Sequence, residues 1–135
     1  MIGLDTNVLV RYFAGDDRRQ SGIATRLIEE TLSARAKGHV SLVALAELAW
    51  VMRTRFDAAK DLVIDVVSHL LTDDRFVVQS QAAVWTALDA YRHARIDFAD
   101  ALIAGLDRAS GCSHTVTFDR RAARIDGMTL LDNDA

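Results

Sequence analysis

Five acidic residues of this 135-residue chain occupy positions that ordinary surface charge explains poorly. Asp5 follows the apolar run Ile2-Gly3-Leu4, and Asp119 follows Val116-Thr117-Phe118, each where a short strand should end. Glu47 stands within Ala-Leu-Ala-Glu-Leu-Ala-Trp, and Asp100 within Asp-Phe-Ala-Asp-Ala-Leu-Ile-Ala, both among side chains that belong in a core. Acids are almost never fully buried without a partner. Asp97 lies three residues before Asp100 and shares its helical face. Taken singly, each has a plain structural use. Asp5, Asp97 and Asp119 are suited to cap the helices that follow them, Glu47 to complement a helix dipole or reach a helix edge, and Asp100 to be solvated.

Together they point to a cation. Four carboxylates (Asp5, Glu47, Asp100 and Asp119) converging at separations of about 5 Å would repel by roughly 3 kcal/mol per pair at an effective dielectric near 20. The total, on the order of 20 kcal/mol, exceeds the stability of a typical domain, about 5–15 kcal/mol. Such a cluster requires protonation, arginine counter-charge or a bound cation. All-oxygen ligation suits Mg²⁺, with Mn²⁺ as a substitute. Convergence itself depends on the fold.

Other chemistries find less support. Cys112 is the single cysteine, so neither an internal disulfide nor a cysteine zinc cluster is available. The histidines (His39, His69, His93 and His114) lack ligand spacing. A net charge of −3 argues against a basic protein that wraps nucleic acid, but not against an enzyme that cuts it. Lys37 and Lys60 are the only lysines, so arginine dominates the cations. Arg11, Arg120 and Arg121, near predicted strand ends, are candidates for phosphate contacts. The apolar stretch 42–52 contains Glu47 and is too short to span a bilayer, and no signal peptide is evident. A cytoplasmic protein with no membrane association is expected.

The elements that must position these acids alternate between strand and helix. Strands are predicted over residues 1–4, 39–43, 75–79, 115–118 and 128–131. A helical segment at 8–13 is followed by a second helix, capped by Asp16 or Asp17 and stopped by Gly38. Further helices are expected over 44–55, after an Asp57 cap through Leu71, after a Ser80 cap through Tyr91, over 97–109 and briefly over 120–124. The pattern predicts an α/β fold: a mostly parallel sheet of four to five strands with helices on both faces. With no proline, linker or repeat, residues 1–135 should form a single domain. In an open parallel sheet, ligands bind at the carboxyl ends of the strands, where Asp5 and Asp119 fall.

The segments Leu-Asp-Thr-Asn-Val-Leu-Val, Ala-Glu-Leu, Asp-Phe-Ala-Asp-Ala-Leu-Ile-Ala and Thr-Val-Thr-Phe-Asp-Arg, in this order, resemble PIN domains, and more narrowly the VapC toxins of bacterial toxin–antitoxin pairs. The resemblance extends over essentially the whole chain. It implies a metal-dependent endoribonuclease that inhibits translation by hydrolysing transfer or ribosomal RNA, leaving 5′-phosphate and 3′-hydroxyl ends. By it, Asp5, Glu47, Asp100 and Asp119 match the acidic metal-binding positions and Asp97 an additional acid. Thr6, Asn7 and Thr117 match polar neighbours able to orient water at one or two Mg²⁺ ions. It also implies a homodimer neutralised by a cognate antitoxin. The apolar stripes at 62–71 and 84–91 suit either those contacts or the core.

Two rivals retain the fold: a catalytically silent PIN-like binding module, and an RNA-processing nuclease without an antitoxin. A receiver-type signalling domain would require an acidic pair after the first strand and a late lysine. An aspartyl-phosphate phosphatase would require an acid at position 7, which is Asn7.

Overall fold

Strand β1 (Ile2–Gly3) is followed by helix α1 (Thr6–Ala14), which begins earlier than the apolar periodicity suggests because Asp5 initiates it, accepting a hydrogen bond from the Thr6 amide at 2.8 Å. In the computed structural model, which describes residues 1–131, the chain divides into two units, Met1–Gln81 and a second from Ala82 onward.

In the first unit Asp17 caps α2 (Arg18–Arg26) by accepting from the Gln20 amide at 2.9 Å. The helix then widens into a π turn, Leu27–Thr31. It is over before Gly38, which opens β2 (Gly38–Val40) rather than stopping a helix. The reason is steric: a Cβ at Gly38 would lie 2.7 Å from Leu4 Cδ1 and 2.8 Å from Leu32 Cδ1, so glycine is needed for close approach. Ser41 accepts from the Ala44 amide and begins α3 (Leu42–Thr54). Asp57 does not cap the next helix. It is left-handed (φ 50°) in the connection, and α4 (Lys60–Thr72) starts after Ala59 without a side-chain cap. Strand β3 (Phe76–Val78) completes a parallel sheet in the order β1-β2-β3, with Gly38 opposite both Ile2 and Phe76.

The core of this unit joins Leu9 of α1, Leu45 and Leu48 of α3, and Val63, Val67 and Leu70 of α4, all essentially inaccessible. The 62–71 stripe is therefore mostly core, with Leu62 left exposed. Burial of such side chains contributes roughly 1.5–3 kcal/mol each.

The second unit carries most of α5 (Gln81–His93) and all of α6 (Phe98–Ala109). Ser80, just before α5, has φ 49° and so lacks the extended backbone of an ordinary N-cap. Val84, Ala87, Leu88 and Tyr91 are buried, so this stripe too is core. Helix α6 ends at Ser110 and Gly111, the latter at φ 95°. Strand β4 (Thr115–Thr117), a 3₁₀ turn at Ala122–Arg124 and β5 (Met128–Leu130) follow. Strands β4 and β5 pair in parallel, Thr115 opposite Met128. The fold is thus α/β with parallel strands throughout, grouped as ladders of three and two. No helix among the described residues is long and apolar enough to cross a membrane.

Candidate active site

The first unit supplies Asp5 and Glu47. Asp5 follows the carboxyl end of β1, and Glu47 lies in the second turn of α3, the helix entered from the neighbouring strand β2. Both carboxylates are exposed and both line one cavity of about 270 Å³, together with Thr6, Asn7, Arg11 and Arg55. Asp5 spends one oxygen, Oδ1, on the Thr6 amide, and its second oxygen has no hydrogen-bond partner among the described residues. The Thr6 hydroxyl is buried, with the residue 8% exposed, and has no hydrogen-bond partner. A buried polar atom left unpaired costs free energy unless something completes it. This cavity therefore offers carboxylate oxygens, and one of its lining residues carries a buried, unpaired hydroxyl.

The second unit supplies Asp97, Asp100 and Asp119. Asp97 has the extended backbone of an N-cap before α6, yet its side chain makes no capping bond, so its carboxylate is not consumed by the role its position suggests. Asp100 is half-buried in the first turn of that helix. Burial raises its pKa above the usual carboxylate range, and the negative charges of Asp97 and Asp119 raise it further. Asp119 is two residues past β4, which packs against α6. The Asp119 amide donates to Thr117 Oγ1 at 3.1 Å, while its Oδ1 accepts from the Arg121 and Ala122 amides at 2.8 and 3.3 Å. Thr117 thus fixes the backbone of Asp119, and Oδ2 has no hydrogen-bond partner among the described residues.

None of the five acids forms an ion pair with an arginine, lysine or histidine among the described residues. Nor does any group of three or more His, Cys, Asp or Glu side chains there gather tightly enough to hold a metal ion. What the structure brings together is the Asp5 and Glu47 cavity in one unit and the mutually repelling Asp97, Asp100 and Asp119 in the other.

The arginines differ among themselves. Arg11 is committed: its Nη1 contacts both oxygens of Asp16 at 3.0 and 2.8 Å, and its Nε donates to Gln20 at 2.7 Å. Asp16 therefore anchors Arg11, leaving Asp17 alone to cap α2. Arg120 and Arg121 are exposed, with no carboxylate partner among the described residues. Arg55 was not singled out by sequence, although it lines the Asp5 and Glu47 cavity. The available signal is spacing: Glu47, Val51 and Arg55 recur every four residues, one stripe of α3 and its end.

Two comparisons with known proteins match nearly the whole chain. The PIN domain family model matches residues 2–128. A VapC ribonuclease of Aquifex aeolicus (strain VF5) is similar, at 24% identity over 127 residues, which cover 94% of this chain and 93% of the relative. The match runs from β1 to the start of β5 and contains all five acids, and the chain belongs to the PIN domain family.

Proposed function

We propose that this chain is an endoribonuclease dependent on Mg²⁺ or Mn²⁺ and acts as the toxin of a toxin–antitoxin pair. The observation that carries the reading is a set of carboxylates with no ion-pair partner among the described residues. Burial and then the charges of Asp97 and Asp119 raise the pKa of Asp100, and none of the five acids has a cationic side chain paired to it among the described residues. Of the three ways to relieve such repulsion, arginine pairing is the one not used, and a hard divalent cation matches the all-oxygen donors. The free oxygens of Asp5 and Asp119 and the unpaired Thr6 hydroxyl fit the same ligand chemistry.

Asp5, Glu47, Asp100 and Asp119 would hold the cation, with Asp97 as an additional acid. When bound, a divalent ion supplies Lewis-acid stabilisation of a phosphodiester and a lowered pKa for water. The chain's own contribution is placement. The backbone amides around Asp5 and Asp119 fix one oxygen of each carboxylate and so orient the other. Besides holding the cation, Asp100 or Asp119 would be placed to accept a proton from the attacking water. Thr6, Asn7 and Thr117 would orient water, and exposed Arg120 and Arg121 would contact the RNA backbone, as would Arg11 if released from Asp16. Transfer or ribosomal RNA is the proposed substrate, translation the process stopped, and a homodimer restrained by an antitoxin the resting state. The name of the Aquifex relative supports the ribonuclease part of this reading.

Incubating the purified chain with total bacterial RNA tests it. Discrete fragments with 5′-phosphate ends are expected with Mg²⁺ or Mn²⁺, and none with EDTA, Asp5→Ala or Asp100→Asn. Intact RNA after incubation with folded, metal-supplied protein freed of any antitoxin would instead identify a silent binding module.

A further inference from the structure

We infer that Arg55 is the phosphate-binding residue of the cavity shared by Asp5 and Glu47, gripping the RNA backbone where the cleavage chemistry takes place; the inference rests on the ribonuclease reading above. Two arginines line this cavity, Arg11 and Arg55. Arg11 is already engaged, through Nη1 with Asp16 and through Nε with Gln20, and joins the end of α1 to α2. Arg55 is exposed, has no carboxylate partner among the described residues, and lies 5.6 Å from the Phe56 ring centroid. A ring face supports a guanidinium without using its N–H donors, so the planar fork stays available for two phosphate oxygens.

The ordinary use of a cation at the end of a helix is to satisfy the last carbonyls and the dipole. Here Arg53 is tied to the chain beyond the helix instead, its Nη1 donating to the Ala58 carbonyl at 2.8 Å. Arg55 has no such bond. The position also answers an electrostatic problem. A cavity lined by Asp5 and Glu47 repels a polyanion, and a cation in its wall offsets that repulsion where phosphate must approach. Thr6, whose buried hydroxyl has no hydrogen-bond partner among the described residues, lines the same cavity.

The test compares the full-length wild type with Arg55→Ala, Arg55→Gln and Arg55→Lys in two assays. One is cleavage of total RNA in Mg²⁺. The other is binding of a single-stranded oligouridylate in Ca²⁺ across a range of salt concentrations. Arg55→Ala and Arg55→Gln should raise the RNA concentration for half-maximal cleavage by about tenfold, the worth of one charge-assisted contact. They should also reduce the slope of log affinity against log salt by roughly 0.7, the value for one phosphate on a single strand. Arg55→Lys should keep the slope but not the full affinity, because it retains charge and loses the fork. Melting temperature should stay at the wild-type value in all three, and Mn²⁺ uptake should not weaken in any of them. Wild-type affinity and slope in both neutral variants, with cleavage intact, would overturn the role of Arg55. A wild type that binds RNA with an Arg55-dependent slope but never cuts would overturn the nuclease reading and leave Arg55 in place. A wild type that neither binds nor cuts would overturn both.

Discussion

The acids of this chain separate into those that also build the fold and those that do not, and the separation can be measured. Asp5 and Asp119 each accept backbone amide bonds at the start of a helical turn. Replacing either with alanine should cost about 1 kcal/mol of stability, the usual worth of an N-cap. Asparagine should preserve most of the cap while removing the charge, so Asp5→Asn and Asp119→Asn should melt near wild type and still lose cleavage by on the order of a hundredfold or more. Asp97 makes no side-chain cap. Asp97→Ala should therefore leave denaturant stability within about 0.5 kcal/mol of wild type while slowing cleavage. A loss near the full cap value in Asp97→Ala would show that its carboxylate does structural work. A different carboxylate sets the acid response. Hydrogen bonds and charge from Arg75 hold the Asp73 carboxyl at about 2, against an ordinary 3.8. A depressed folded-state pKa stabilises above the unfolded value and is lost as pH falls, here between about pH 4 and pH 2. After allowance for solvent screening the contribution is on the order of 1 kcal/mol. Urea denaturation at pH 6 and pH 3 should show that much less pH dependence in Asp73→Asn.

At the scale of elements, the alternation of strand and helix was readable because apolar runs and periodic stripes are local. All five strands and the long helices fall where periodicity places them. The errors share one cause, that turn and cap residues are ambiguous without their neighbours in space. Gly38 looked like a helix stop, but it is a strand residue squeezed between Leu4 and Leu32. Asp57 and Ser80 looked like caps, yet both have left-handed backbone. Asp97 has the backbone of a cap without the bond. Arg55 carries no mark in the sequence because a cation at a helix end is ordinary, and only the fold puts it in the wall that contains Asp5. The packing at Gly38 gives a sharp expectation. Gly38→Ala should lower stability by roughly 1–3 kcal/mol, since buried Leu4 and Leu32 would both have to move. A variant as stable as wild type in urea would mean that the strand pair has slack the packing does not suggest.

The molecule as a whole consists of two units, and the family pattern runs through both, from residue 2 to residue 128. Each unit supplies part of the acidic set, Asp5 and Glu47 from one and Asp97, Asp100 and Asp119 from the other. A single domain over the whole chain predicts one cooperative unfolding transition by both far-UV circular dichroism and tryptophan fluorescence. Trp50 reports on the first unit and Trp85 on the second, so separate midpoints would assign them independent stabilities. The central claim is that the unpaired carboxylates exist to hold a divalent cation, and calorimetric titration with Mn²⁺ tests it most directly. The wild type should take up the ion saturably, and Asp100→Asn should bind it at least about tenfold more weakly while remaining folded. Equal uptake by the variant, or none by the wild type, would contradict the account.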